Sequence, residues 1–169
     1  VTVLSVIESY DLVKYYKNES QYYATFLDKQ GNPVANNTTV TFNINGVFYT
    51  RYTNENGTAK LNINLIPANY IITSIHPNGE KKGRNITVLS TINGSDITKY
   101  FRNGTQFYAT FYDAMGNPLI NETVRFNING VIYEKRTNNK GTANLTISLY
   151  PGSYILTAYH PNGESHGYN

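Results

Sequence analysis

The chain has 169 residues, a formal net charge of +3 with 15% charged residues, 16 tyrosines, no tryptophan and no cysteine. The missing cysteine excludes disulfide staples and cysteine-ligated zinc or iron–sulfur chemistry. The basic residues form no cluster beyond Lys81 to Arg84, so nucleic acid is not expected as a partner; no stretch is long enough for a membrane span, and direct membrane contact is not expected either.

In chain order, VTVLS (1–5) is a short apolar run, and DLVKYY (11–16) places Lys14 inside an apolar-aromatic strand pattern. QYYATFLD (21–28) alternates, with Tyr22, Ala24 and Phe26 on the expected core face. DKQGNP is a polar turn closed by Pro33. VTFNINGVFYT (40–50) reads as a hairpin whose Asn45-Gly46 pair supplies the positive φ of a type I′ turn. TAKLNINL follows Gly57, with Ala59, Leu61, Ile63 and Leu65 facing inward between polar neighbours. NYIITSIH (69–76) predicts a further strand, and HPNGEKKGRN a loop leading to ITVLS (86–90), after which TINGSD reads as a Gly/Ser/Asn linker.

The same series then repeats. Asp11 to Pro33 returns from Asp96, and FNINGV, GTA and HPNGE return at Phe126, Gly141 and His160. Scarce helix formers, abundant Thr and Tyr and period-two alternation predict an all-β chain of two tandem immunoglobulin-like antiparallel β-sandwich domains, about seven strands each. Because sandwich modules commonly end on an amphipathic strand and then change domain through a polar linker, ITVLS is read as the closing strand of the first repeat. The expected division is residues 1–9 as the closing strand of a preceding repeat plus linker, 10–90 as repeat 1, and 91–169 as repeat 2 without its own closing strand. The alternative frame is 1–85 and 86–169. An open sheet edge in repeat 2 invites strand exchange, with residues 1–5 of another copy as the donor.

The stretches NITVLS, DITKYF, DAMGNPL, VRFNINGVIY and GTANLTISLYPGSYILTAYHPNGE resemble tandem immunoglobulin-like repeats of adhesin-like surface proteins of methanogenic archaea, of the Methanobrevibacter and Methanosphaera type. The resemblance covers both copies. More loosely, G-T-A-x-L-x-I and P-G-x-Y-x-x-x-A resemble CnaB-like and prealbumin-like surface modules, from which the first copy departs at Ala68, Asn69 and Ser74. The resemblance implies structural or adhesive modules of a larger exported protein, extracellular at the cell surface. It implies no enzymatic activity and no cofactor; the partner would be a glycan or protein on a host or neighbouring cell.

Candidate residues follow from what both copies repeat. Lys14 and Lys99 are costly in a thin core unless paired, for which Asp11 and Asp96 lie nearby. The CnaB-like resemblance implies a second role, an isopeptide crosslink to Asn78 or Asn85 (Asn162 or Asn169) assisted by Glu80 or Glu164. N-x-S/T triplets at Asn18, Asn36, Asn37, Asn56, Asn85, Asn93, Asn103, Asn121 and Asn144 are candidate N-glycosylation sites. His76, His160 and His166 lack the partners of a metal site, and Asp28 and Asp113 lack the serial acidic ligands of a calcium loop, so Asx-type turns are expected. Tyr23, Tyr108 and Tyr112 lie on the outer face of the QYYATF and QFYATF strands, where aromatic rings either pad the sheet or form a glycan- or protein-binding face.

Overall fold

A computed structural model describes all residues, Val1–Asn169. The chain folds as two units, residues 1–14 with 18–89, and residues 15–17 with 90–169. Unit 1 is a β-sandwich. One layer has the order β1-β3-β6, with β1 at Ile7–Ser9, β3 at Gln21–Phe26 and β6 at Thr58–Asn62; the other has the order β2-β8-β7-β4-β5, with β2 at Leu12–Tyr15, β4 at Thr39–Ile44, β5 at Val47–Tyr52, β7 at Ala68–Ile75 and β8 at Lys81–Leu89. In unit 2 one layer is β9-β10-β13, from Ile92–Gly94, Gln106–Phe111 and Thr142–Thr146. The other is β12-β11-β14-β15, from Val131–Arg136, Thr123–Ile128, Leu156–Tyr159 and Ser165–Tyr168.

Alternation builds the core as the sequence predicts. Tyr22, Ala24 and Phe26 of β3, Val40, Phe42 and Ile44 of β4, and Ala59 and Leu61 of β6 are buried, as are Phe107, Ala109, Phe111, Val124, Phe126, Ala143 and Leu145 in unit 2. Tyr22 meets Phe42 edge-on at 5.7 Å, and Phe107 meets Phe126 in the same way at 5.6 Å, an arrangement that the ring quadrupole favours. Both hairpins turn through positive φ at two successive residues, 54° and 76° at Asn45 and Gly46, 51° and 77° at Asn129 and Gly130. This is the type I′ geometry whose twist matches the flanking strands.

Unit 1 has eight strands and unit 2 seven; besides Lys81–Asn85, expected to be a loop but forming the first part of β8 against Ile71–Ile75, three differences from the sequence expectation stand out. Ile92–Gly94, expected to be a linker, is β9 and pairs with β10 through Phe111↔Ile92 and Ala109↔Gly94. Ile7–Ser9, placed with a preceding repeat, is β1 and pairs with β3 through Ile7↔Phe26. Each is too short to display alternation and enters the core by one isoleucine, Ile7 or Ile92. The third difference lies around residues 97–100 and 152–155, which form no strands in unit 2, whereas their counterparts in unit 1 belong to β2 and β7.

The two units differ in the pairing beside these segments. In unit 1, β8 runs the full length of β7, from Ile75↔Lys81 to Ala68↔Val88, and Ile86 and Val88 are buried. Burying two such side chains contributes about 1.5–3 kcal/mol each. In unit 2, β15 spans only the first part, from Tyr159↔Ser165 to Leu156↔Tyr168. Residues 96–102, 149–156 and the last two residues, Tyr168 and Asn169, line a groove of about 980 Å³.

Candidate functional site

The HPNGE motif ties the first strand of each unit to the turn at its far end. His76 N donates to Glu80 O at 2.8 Å and Gly79 N to His76 O at 2.9 Å, with Gly79 at φ 98°. Nδ1 of His76 accepts from Asn78 N at 3.0 Å, so the ring proton of the neutral tautomer sits on Nε2, which donates to Leu27 O at 2.8 Å. His160 repeats this with Asn162 N at 3.0 Å and Tyr112 O at 2.7 Å. Burial holds the His160 imidazole below the usual histidine range and outweighs the opposite pull of the Tyr112 carbonyl and the Glu164 charge.

The glutamate closes a clip. Glu80 Oε1 accepts from Ser5 Oγ at 2.5 Å and Oε2 from Val6 N at 2.9 Å. Burial pushes the Glu80 carboxyl up, but the bonds from Ser5 and Val6 and the charges of His76 and Lys82 outweigh it, and the net direction is down. In unit 2 the counterpart of Val6 is Thr91, which is fully buried and donates to Glu164 Oε1 through N at 2.7 Å and Oγ1 at 2.8 Å. Asn162 Nδ2 donates to the same Thr91 hydroxyl at 2.9 Å, and Ser90 Oγ donates to Glu164 Oε2. One extra hydroxyl therefore turns a two-donor clip into a buried three-donor one. Sequence reasoning missed Ser5, Ser90 and Thr91. Their signal was present in the last letter of VTVLS and ITVLS and in the glutamate of each HPNGE.

The lysines are placed otherwise than their neighbouring aspartates suggest. Lys14 Nζ donates to Ile63 O at 2.8 Å and Ser20 O at 3.1 Å, and Lys99 Nζ to Ile147 O at 2.8 Å and Thr105 O at 3.0 Å. Burial pushes the Lys14 ammonium below the usual lysine range. Asp11 and Asp96 instead accept from the backbone N–H of Asn85 at 2.8 Å and Asn169 at 2.9 Å. Asn78 and Asn162 serve the clip through Oδ1, which accepts from Glu80 N at 3.0 Å and Glu164 N at 2.9 Å. Each lysine thus joins the ends of two loops at one edge of its sandwich.

Asp28 Oδ1 accepts from Gln30 N and Asn32 N, both at 2.9 Å, and Asp113 Oδ1 from Met115 N and Asn117 N at the same distance, which are Asx-type turns. Of the triplet asparagines, Asn36, Asn37, Asn56, Asn85, Asn93, Asn103, Asn121 and Asn144 are exposed and Asn18 is half-buried. Tyr23 and Tyr108 are 55% and 56% exposed. Tyr112 is half-buried, and His166 lies exposed on β15, stacked on Tyr168 at 4.5 Å.

Two contacts differ between the copies in both partners at once. Tyr22 Oη and Ser74 Oγ share a buried hydrogen bond of 3.1 Å in unit 1, where unit 2 has Phe107 and Ala158. Arg84 Nε donates to Ser9 Oγ at 3.2 Å, where unit 2 has Tyr168 and Gly94. A Cβ on Gly94 would lie 2.9 Å from Tyr168 Cζ, so the ring occupies the space that glycine leaves. Burial, with the charges of Glu164 and Asp96, pushes the Tyr168 phenol up. Such joint replacement is what buried polar pairs require, since one partner left alone loses its solvation without compensation.

No protein-family model matches the chain, and no curated protein matches it. Among solved structures it is similar to invasin, a bacterial integrin-binding protein, at 19% identity and a TM-score of 0.43 over 100% of this chain and 39% of that one. It is also similar to the Yersinia pseudotuberculosis adhesin InvE, at 15% identity and a TM-score of 0.36 over 95% of this chain and 56% of that one. A third is the structure of Clostridium thermocellum CbhA fibronectin(III)-like modules, at 12% identity and a TM-score of 0.34 over 96% of this chain and 91% of that one. The chain spans about two fifths of the length of the invasin chain.

Proposed function

We propose that the chain is a pair of structural and adhesive repeat modules from a large adhesin-like protein of the archaeal methanogen type, held outside the cell and extending or presenting a binding region. The observation that carries this reading is the use of the repeated polar residues. Ser5, Glu80, His76 and Lys14, with Ser90, Glu164, His160 and Lys99, all bond strand ends and loop ends to one another. A module repeated for reach needs its strand ends secured, because pulling on a chain loads the first and last strands before the core. The sequence resemblance to archaeal surface repeats supports the same reading, with a surface glycan or protein as the partner of the whole molecule.

A second reading rests on Tyr23 and Tyr108, whose rings stand more than half exposed on corresponding strands. Binding of the purified chain to glycan arrays and to cell surfaces separates the two. The structural reading expects no binding by these repeats alone together with slow proteolysis of the folded chain. Saturable binding abolished by Tyr23→Ala and Tyr108→Ala would replace it with the binding-module reading.

A further inference from the structure

The outer face of the larger sheet of unit 1 sets a bare isoleucine among polar neighbours. In β7 and β8 the inward residues Ile72, Ile86 and Val88 are buried, so the alternate pairs Ile71↔Asn85 and Asn69↔Thr87 stand outward. Ile71 is 66% exposed. Gly83 flanks it on β8: a Cβ there would lie 3.6 Å from Ile71 Cγ2, so a larger residue would shade the side chain that glycine leaves open. Asn45, Asn69, Tyr70, Ile71, Asn85 and Thr87 line a shallow cleft of about 680 Å³ at this place.

Two residues of the cleft belong to one N-x-T triplet, Asn85-Ile86-Thr87, and the strand period puts the asparagine and the hydroxyl on the same outward face with Ile86 buried between them. The Asn85 carboxamide and the Thr87 hydroxyl hold no hydrogen bond. In contrast, Asn144 Nδ2 donates to Gln106 Oε1 at 2.5 Å, and Asn103 Oδ1 accepts from both N and Oγ1 of Thr105. We propose that Asn85 is an N-glycan attachment site whose first sugar is seated in this cleft, with its carbon–hydrogen face on Ile71 and its hydroxyls on the carboxamides of Asn45 and Asn69. Cross-strand partners have Cβ atoms about 5 Å apart, so a ring joined to Asn85 Nδ2 reaches Ile71. A tethered occupant fits a cleft this shallow, because attachment gives it an effective concentration on the order of millimolar and weak contacts then suffice. The donor is a sugar esterified to a polyprenyl phosphate. The bond from Nδ2 to the anomeric carbon forms as the carbon–oxygen bond to phosphate breaks; the polyprenyl phosphate leaves with the bonding pair, and one carboxamide proton passes to a base. Natural use of the site rests on the extracellular reading above, since such attachment accompanies export.

The test exports the whole chain from a host that N-glycosylates its secreted proteins and reads each triplet by peptide mass spectrometry after enzymatic release in heavy-oxygen water. Asn85 is expected to carry sugar in most molecules and to lose it in Thr87→Ala, with nuclear Overhauser contacts between the first sugar and the Ile71 methyl groups. Release of that sugar from the folded chain by a glycan amidase is expected to be about tenfold faster in Ile71→Ser than in the parent, as uncovering roughly half of an isoleucine side chain implies. Ile71 is exposed, so Ile71→Ser should keep the thermal unfolding of the unglycosylated parent. A chain bare at Asn85, or one whose Asn85 sugar shows no contact with Ile71 and leaves the parent and Ile71→Ser at equal rates, would overturn the proposal. Because the host imposes export, a bare Asn85 beside sugars on other triplets counts against this site and not against the extracellular reading.

Discussion

The Tyr22–Ser74 bond offers a quantitative test of how the two copies diverged. The bond is buried, with Tyr22 1% and Ser74 0% exposed, and the other copy replaces both partners by Phe107 and Ala158. Tyr22→Phe removes one hydroxyl and leaves the Ser74 hydroxyl without its partner; Ser74→Ala leaves the Tyr22 phenol in the same state. Each single change is expected to destabilise unit 1 by about 1–2 kcal/mol, the desolvation of one unsatisfied group plus the lost bond. The double change removes both polar groups from the core and keeps the ring packing on Phe42, so it should lie within about 0.5 kcal/mol of the parent. The coupling energy is then about 2–4 kcal/mol, close to the sum of the two single effects. Native-state amide exchange resolved by peptide isolates unit 1, and unit 2 serves as an internal control in the same sample. If the two single effects simply add in the double variant, the reasoning from joint replacement fails.

The clips should differ in strength: Glu164→Gln is expected to cost unit 2 about 3 kcal/mol and Glu80→Gln to cost unit 1 about 1–2 kcal/mol, compared by amide exchange, because the first has three donors on a buried carboxylate. His160 has a folded-state pKa below its unfolded value, so its neutral form stabilises unit 2 fully above about pH 6.5, and this contribution is lost as pH falls through the folded-state value. Thermal melts of the parent and of His160→Gln should show this: the midpoint of unit 2 falls with acidification over that window in the parent, and the fall is shallower in the variant. A Cβ at Gly57 or Gly141 would lie 2.7 Å from Phe26 O or 2.5 Å from Phe111 O at φ of 72° or 76°, so alanine at either should cost several kcal/mol by denaturant titration. Gly46, at φ 76° with open space around it, should cost only about 1 kcal/mol in the same titration. With Lys14 and Lys99 bonded to carbonyls, the intact mass is expected to equal that of the uncrosslinked sequence, and a loss of ammonia would contradict this placement.

The central strands were legible because half-burial writes itself into alternation: Tyr22-Ala24-Phe26, Val40-Phe42-Ile44 and Ala59-Leu61 each state their inward face, and Asn45-Gly46 states its turn. The first strands were not. Ile7–Ser9 and Ile92–Gly94 carry one buried isoleucine each, and TINGSD has the composition of a linker although the chain pairs through it. The clip was hidden for a different reason. Ser5 and Glu80 lie 75 residues apart, and nothing local to either residue announces the other. Lys14 illustrates a further limit: the sequence showed a cation in a core strand beside an aspartate, but which acceptor it reaches depends on where the loops at Ser20 and Ile63 end. Repetition was the one sequence signal that reached these long-range contacts, since every member of the clip except Val6/Thr91 recurs unchanged.

The claim that these repeats are held at their strand ends against extension is tested most directly by pulling a single chain from its two termini. Two discrete unfolding steps are expected, each releasing on the order of 25 nm of chain, with Glu164→Gln lowering the force of one step and leaving the other as it was. A smooth extension without steps, or a Glu164→Gln chain with both forces unchanged, would contradict it.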